Sequence, residues 1–184
     1  MKQLSFEKNR AFQDFKKRAV HGGGIRAGKR KLSRPFIPGQ PLHVVLRSSK
    51  ARGDWSLLKK KNENSVSRII YAHAERNGVD IYQYANGGNH LHVLLKCKSK
   101  KRFQAFLKSA TGLIARHVLN AKKGRKQGKF WDGLAYSKLV FWGKQFKAAK
   151  NYVLKNMLEG WGVIPPRTSA RGHIRLDFQA IADE

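Results

Sequence analysis

The apolar positions of this chain follow two rhythms, one of period two and one near 3.6, in an order that outlines a single α+β domain. PLHVVLRS (Pro41–Ser48) is short and rich in β-branched residues, so it reads as a first strand, and a compact domain is expected to begin at Pro35–Pro41. Lys50–Asn62 is a polar loop carrying Trp55. From Glu63 to Asn77 the residues Val66, Ile69, Ile70, His73 and Ala74 recur at helical spacing, and Asn77-Gly78 supplies a stop. Val79–Ala85 and His90–Cys97 alternate as strands around Asn86-Gly87-Gly88-Asn89, a turn of residues that accept positive φ, so an antiparallel hairpin is expected. A second helix from Lys100 to Asn120 aligns Phe103, Phe106, Leu107, Leu113, Ile114 and Val118, with Gly112 as its weak point. Leu134–Phe141 reads as a fourth strand and Lys144–Leu158 as a third helix. This order suggests an antiparallel β-sheet with helices packed mainly on one face.

The ends read differently from the middle. Residues 1–34 are expected to form a basic flexible arm, in which HGGGIRAGKRKLSRP joins three glycines to Arg26, Lys29, Arg30, Lys31 and Arg34. No Gly-Lys-Ser/Thr follows the glycines, so they do not form a Walker loop. Residues 35–160 form the expected domain, and 161–184, with Pro165-Pro166 and weak periodicity, a C-terminal tail.

Charge narrows the partners. Lysine and arginine number 39 against 11 acids in 184 residues, a formal net charge of +28. A compact chain tolerates such self-repulsion best when a polyanion neutralises it. The basic residues are spread throughout, so the folded body should itself offer a phosphate-binding surface, with Arg47, Arg52, Lys122, Lys123, Arg125, Lys126, Lys129 and Lys155 as candidates beside those of the arm. A membrane is the competing polyanion, but no apolar run approaches the ~20 residues that span a bilayer and no signal-peptide core follows Met1. The single cysteine, Cys97, excludes an intramolecular disulfide and a cysteine zinc cluster, and reads as a small core residue closing a strand. A cytoplasmic, nucleoid-associated protein is the expectation.

The scarcity of acids constrains the chemistry. Asp54, Glu63, Glu75, Asp80, Asp132 and Glu159 are never close pairs, whereas two-metal nucleases need clustered carboxylates. A catalytic cation here would have to be held largely by histidines or amides. His90-Leu91-His92 offers two imidazoles on one strand face, able to chelate one divalent ion, although such a pair is more often simply satisfied or exposed. Tyr152 and Asn156, four apart, share a helix face beside an apolar stripe of Phe146, Ala149, Val153 and Met157. Taken alone, Tyr152 is more often a boundary residue with a buried ring and a wet hydroxyl. Among the aromatics near the fourth strand, Tyr136 and Trp142 could stack on unpaired bases, while Phe130 and Trp131 read first as core. His43, His73 and His117 lie in apolar patterns and read as structural.

Together, NHLHVLL (Asn89–Leu95), GKFWDGLAYSKLV (Gly128–Val140) and YVLKNMLEG (Tyr152–Gly160) resemble segments of single-tyrosine HUH transposases, in particular the REP-associated tyrosine transposase branch of the insertion-sequence family. The likeness extends over residues 34–160. It implies a ferredoxin-like core, a divalent Mg²⁺ or Mn²⁺ ion and a covalent phosphotyrosine intermediate formed on single-stranded or hairpin DNA. By that resemblance His90 and His92 are metal ligands, Tyr152 is the nucleophile and Asn156 is a third, amide ligand. The chain departs from many relatives in having Gly87-Gly88 where they carry Met-Pro, and in a longer basic arm before Pro35. Neither departure removes a catalytic group. Monomer and homodimer both remain open, as do two other readings: a rolling-circle replication initiator or relaxase-like nickase, and a non-catalytic binder of structured nucleic acid that retains the fold.

Overall fold

A five-stranded antiparallel sheet organises the molecule, with strand order β1-β5-β2-β4-β3. The computed structural model describes residues 19–22, 33–122, 124 and 128–165. The strands are β1 (Val20–His21), β2 (Pro41–Arg47), β3 (Val79–Asn86), β4 (His90–Cys97) and β5 (Tyr136–Leu139). Three long helices complete it: α1 (Lys60–Arg76), α2 (Lys100–Val118) and α3 (Lys144–Gly160).

Strand alternation divides the side chains between two layers. Leu42, Val44 and Leu46 of β2 and Leu91, Val93 and Leu95 of β4 point to the larger core. There they meet Val66, Ile70 and Ala74 of α1 and Phe103, Phe106, Ala110 and Ile114 of α2, all buried. The opposite parity faces α3, through a smaller cluster of Ala85, Leu94, Val140, Ala149 and Val153. Two helices thus cover one face and the third covers the other, so the sheet is loaded mainly on one side, as its hydrophobic pattern suggests.

Local chemistry explains the element ends. Ser99 caps α2 by accepting from the Arg102 backbone N–H at 3.4 Å. At the end of α1 the Asn77 amide donates to the His73 carbonyl at 2.7 Å, and Gly78 turns the chain with φ of 58°. Helix α2 runs unbroken through Gly112, which is exposed with no atom near its missing Cβ. Helix α1 begins three residues earlier than its periodicity indicates, because Lys60–Asn62 complete its first turn and Asn62 turns inward, donating to the Ser56 and Asp54 carbonyls at 2.8 and 3.1 Å.

One expectation needs correction. The arm expected over residues 1–34 contributes to the sheet, since Val20–His21 pairs with Lys138 and Ser137 of β5 and extends that edge. Arg34 belongs to the same junction. Its guanidinium donates to the Ala135 carbonyl at 2.8 Å and to the Ser137 hydroxyl at 2.6 Å, so it clasps β5 where a phosphate contact is expected. Arg26, Lys29, Arg30 and Lys31, with the rest of the arm and most of the tail, lie outside the described residues. No helix among the described residues is long and apolar enough to cross a membrane.

Candidate metal and nucleophile site

The face of the sheet toward α3 carries the candidate chemistry. In the β2–β4 register His92 lies opposite Val45 and His90 opposite Arg47, while Leu94 lies opposite His43. Opposed residues of an antiparallel pair share a face, so His43, His90 and His92 all project toward α3. The β3–β4 turn closes directly beside them. There Asn86 is buried, donates to the Leu57 carbonyl at 2.9 Å and accepts from the Gly88 N–H at 3.0 Å, which fixes the hairpin from below. Gly87 leaves room for the His90 ring, since a Cβ on it would come within 2.6 Å of Nε2.

Helix α3 brings Tyr152 and Asn156 to this point. Its apolar stripe behaves as the spacing indicates: Ala149 and Val153 are buried, and Phe146 and Met157 pack against them. Tyr152 sits at the stripe's edge, its ring edge-on to His92 at 5.5 Å and to His43 at 5.8 Å between centroids. His90 and His92 are themselves edge-on at 4.9 Å. The Asn156 amide nitrogen donates to the Tyr152 carbonyl at 2.8 Å, and the same side chain stands close to the His90 ring. Four residues from two elements therefore converge within one chain.

The ring nitrogens show which atoms could hold a cation. His90 Nδ1 lies 2.6 Å from Asn89 Oδ1, and in the tautomer that donates to that oxygen Nε2 is the lone pair. His92 Nδ1 lies 3.0 Å from His43 Nε2. His92 Nε2 is buried and has no hydrogen-bond partner, and the residue is 0% exposed. A buried polar nitrogen left unpaired costs about 1–3 kcal/mol, and a ligand on it would offset that cost. The residues present thus fit a divalent cation: two imidazole Nε2 atoms plus the Asn156 amide oxygen, a hard donor. Among the described residues no three His, Cys, Asp or Glu side chains form a cation cluster.

Electrostatics keep the imidazoles neutral, the form in which they bind metals. Burial, then Lys138, pushes His43 down to about 3. Burial and the neighbouring His43 and His90 hold His92 well below the ordinary imidazole value. His90 is also lowered, by burial, against the opposing bond from Asn156 and with Arg47 adding to the fall. Tyr136, buried on the same face, is raised above the usual phenol value by burial and by Tyr152.

The other candidates fall in several places. Arg47 is exposed beside His90, its Nε 3.8 Å from Asp132. Arg52, Lys122, Lys129 and Lys155 are exposed and open to a polyanion, while Lys123, Arg125 and Lys126 lie outside the described residues. Phe130 is buried, and the Trp131 indole N–H donates to the Thr111 carbonyl at 2.9 Å, so both serve the core. Trp142 is 51% exposed and stands against Phe146 and Tyr82. His43 is the residue whose place the sequence alone does not reveal. Its parity within β2 was readable, but the strand beside it was not.

Residues 39–156 match the family model described as IS200-like transposase, and the chain belongs to that family. The fold is similar to a solved structure described as a REP-associated tyrosine transposase bound to a REP hairpin, with a TM-score of 0.51, 13% identity, and 71% of this chain and 73% of that one covered. A protein from Deinococcus radiodurans R1 described as a transposase is less similar in fold, with a TM-score of 0.43, 18% identity, and 70% and 98% covered. No curated protein matches the chain significantly.

Proposed function

We propose that this chain nicks and rejoins single-stranded or hairpin DNA through a 5′-phosphotyrosine link on Tyr152, with a divalent metal at His90, His92 and Asn156. The observation that carries this reading is the edge-on approach of the Tyr152 ring to His92, whose buried Nε2 has no partner. Membership of the transposase family supports DNA cleavage as the activity, and the description of the similar fold supports a hairpin as the kind of DNA.

The chain's own residues divide the work. A bound Mg²⁺ or Mn²⁺ would polarise a non-bridging oxygen of the scissile phosphate and offset charge developing there. Tyr152 supplies the nucleophilic oxygen; a free phenol has a pKa of ~10, so its proton has to leave to a water or a nearby base as the bond to phosphorus forms. The bond from phosphorus to the 3′ oxygen breaks, and that oxygen leaves as a hydroxyl. The phosphotyrosine link conserves the phosphodiester bond, so attack by another 3′-hydroxyl rejoins the strand without a nucleotide cofactor. Exposed Arg47 beside His90, with Arg52, Lys122, Lys129 and Lys155, holds the backbone. One chain carries Tyr152, both histidines and Asn156.

The test is covalent capture of a hairpin-flanking single-stranded oligonucleotide, read as a protein–DNA adduct on a denaturing gel. Native protein with Mn²⁺ should form the adduct and EDTA should prevent it. Tyr152→Phe should abolish it while leaving DNA binding nearly unchanged. Normal cleavage by the phenylalanine variant would remove Tyr152 as the nucleophile, and binding without any adduct by native protein would leave only a structured-nucleic-acid binder.

A further inference from the structure

The buried contact between His43 and His92 has no place in the reaction described above. His43 lies in β2, diagonal to His92 across the β2–β4 register, and both rings are almost fully enclosed, at 1% and 0% exposed. Their planes are 14° apart, and His43 Nε2 stands 3.0 Å from His92 Nδ1. That is a nitrogen-to-nitrogen hydrogen bond, which holds one proton between two neutral rings.

The position of that proton decides whether His92 can bind anything. If it belongs to His92 Nδ1, then His43 Nε2 accepts, His43 carries its own proton on Nδ1, and His92 Nε2 is a bare lone pair. If it belongs to His43 Nε2, then His92 Nδ1 accepts, and neutral His92 has to carry its proton on Nε2. In that second arrangement the outward nitrogen is closed to a cation. A cation on His92 Nε2 and the His43 bond can coexist only in the first. His90 has a comparable partner at its second nitrogen, the Asn89 side-chain oxygen 2.6 Å from Nδ1. Metal-binding histidines in general have their ring orientation and proton placement fixed by the partner of the second nitrogen.

We infer that His43 is a positioning residue: it accepts from His92 Nδ1–H and thereby keeps Nε2 of His92 aimed and open as a cation donor. The inference rests on His92 being a metal ligand, as proposed above. A helix or loop carbonyl commonly fills this role in principle, but here a second imidazole does, and an imidazole can hold the proton either way. The His43–His92 bond is therefore a two-position switch that a cation sets in one sense.

Two measurements test this, one of them on native protein. Nitrogen-15 NMR of the imidazoles in native protein with Mg²⁺ bound should show His92 protonated at Nδ1 and His43 bare at Nε2; a proton on His92 Nε2 in that state would overturn the inference. Mn²⁺ affinity, read by calorimetry without DNA, should fall roughly 10- to 100-fold in His43→Leu, which offers no acceptor. His43→Gln, whose side-chain oxygen accepts in nearly the same place, should recover affinity to within a few-fold of native. Native affinity in a folded His43→Leu protein overturns the inference, as does equal loss in both variants. His92→Ala separates the two ideas: if it binds Mn²⁺ like native protein the metal site itself is wrong, whereas loss in His92→Ala beside no change in His43→Leu rejects only the role of His43.

Discussion

Replacing Gly160 with alanine should slow cleavage without touching any candidate catalytic atom. Gly160 is the last residue of α3, and its Cα faces the backbone of the β3–β4 hairpin that carries His90. An added Cβ would overlap the Asn86 carbonyl oxygen and lie 3.3 Å from its carbon and 3.5 Å from Gly87 Cα. These are backbone atoms that cannot swing aside, so the helix end has to lift by roughly 1 Å, and a displacement of that size between reacting groups can cost on the order of 10²-fold in rate. Asn156 lies one turn before Gly160 and Tyr152 one turn before that, so the lift acts on the helix segment that positions both. Stability has two opposing terms: overpacking costs about 1–3 kcal/mol, and replacing a helical glycine with alanine returns about 0.5–1 kcal/mol. Gly112→Ala is the matched control, since that position in α2 has open space where its Cβ would be. It should gain the second term alone, raising the melting temperature with unchanged activity. Single-turnover adduct formation at saturating DNA and Mn²⁺ is the assay. If Gly160→Ala forms adduct at the native rate, close docking of α3 on the hairpin does not set the geometry of the reaction.

The metal-free protein should lose stability in mild acid. Because His43 and His92 are held below their ordinary value near 6.5 in the fold, the unfolded chain takes up protons first; stability is intact above that pH and falls as pH drops below it. Between pH 7.5 and 5.5 the two buried rings together should cost on the order of 2–3 kcal/mol, seen as a lower urea midpoint; a flat profile to pH 5.5 would show that they are not both buried neutral. Trp142→Ala should weaken single-stranded DNA binding roughly 5- to 150-fold, the equivalent of ~1–3 kcal/mol of base stacking, in fluorescence anisotropy. An unchanged affinity would assign this exposed ring to packing on Phe146 and Tyr82.

Much of this arrangement was legible in the residue order because it depends on spacing within one element. The facing of His90 and His92, the shared face of Tyr152 and Asn156, and the buried stripe of Ala149 and Val153 all follow from local periods. What escaped depends on which distant segment lies alongside. Val20–His21 is too short to signal a strand, and forms one because the β5 edge is open to pair with it. Arg34 looked like one more phosphate contact in a basic run until Ala135 and Ser137, a hundred residues on, took its donors. His43 sits in an apolar pattern that a buried structural histidine would share, and only register across two strands brings it to His92. The bulge between Ile81 and Gln83, at Tyr82, likewise comes from pairing and left no mark in the alternation.

The unequal loading of the sheet bears on how the molecule comes apart. Helices α1 and α2 are sealed by large rings and branched chains such as Phe103, Phe106, Ile70 and Ile114, whereas α3 rests on a thin seam with Ala85, Leu94, Val140, Ala149 and Val153 at its centre. Less apolar area holds that layer, so under rising denaturant it is the cheaper one to open. The tyrosine would then part from the histidines while most of the sheet still stood, and the ability to cut DNA would vanish at a lower denaturant concentration than the bulk of the secondary structure.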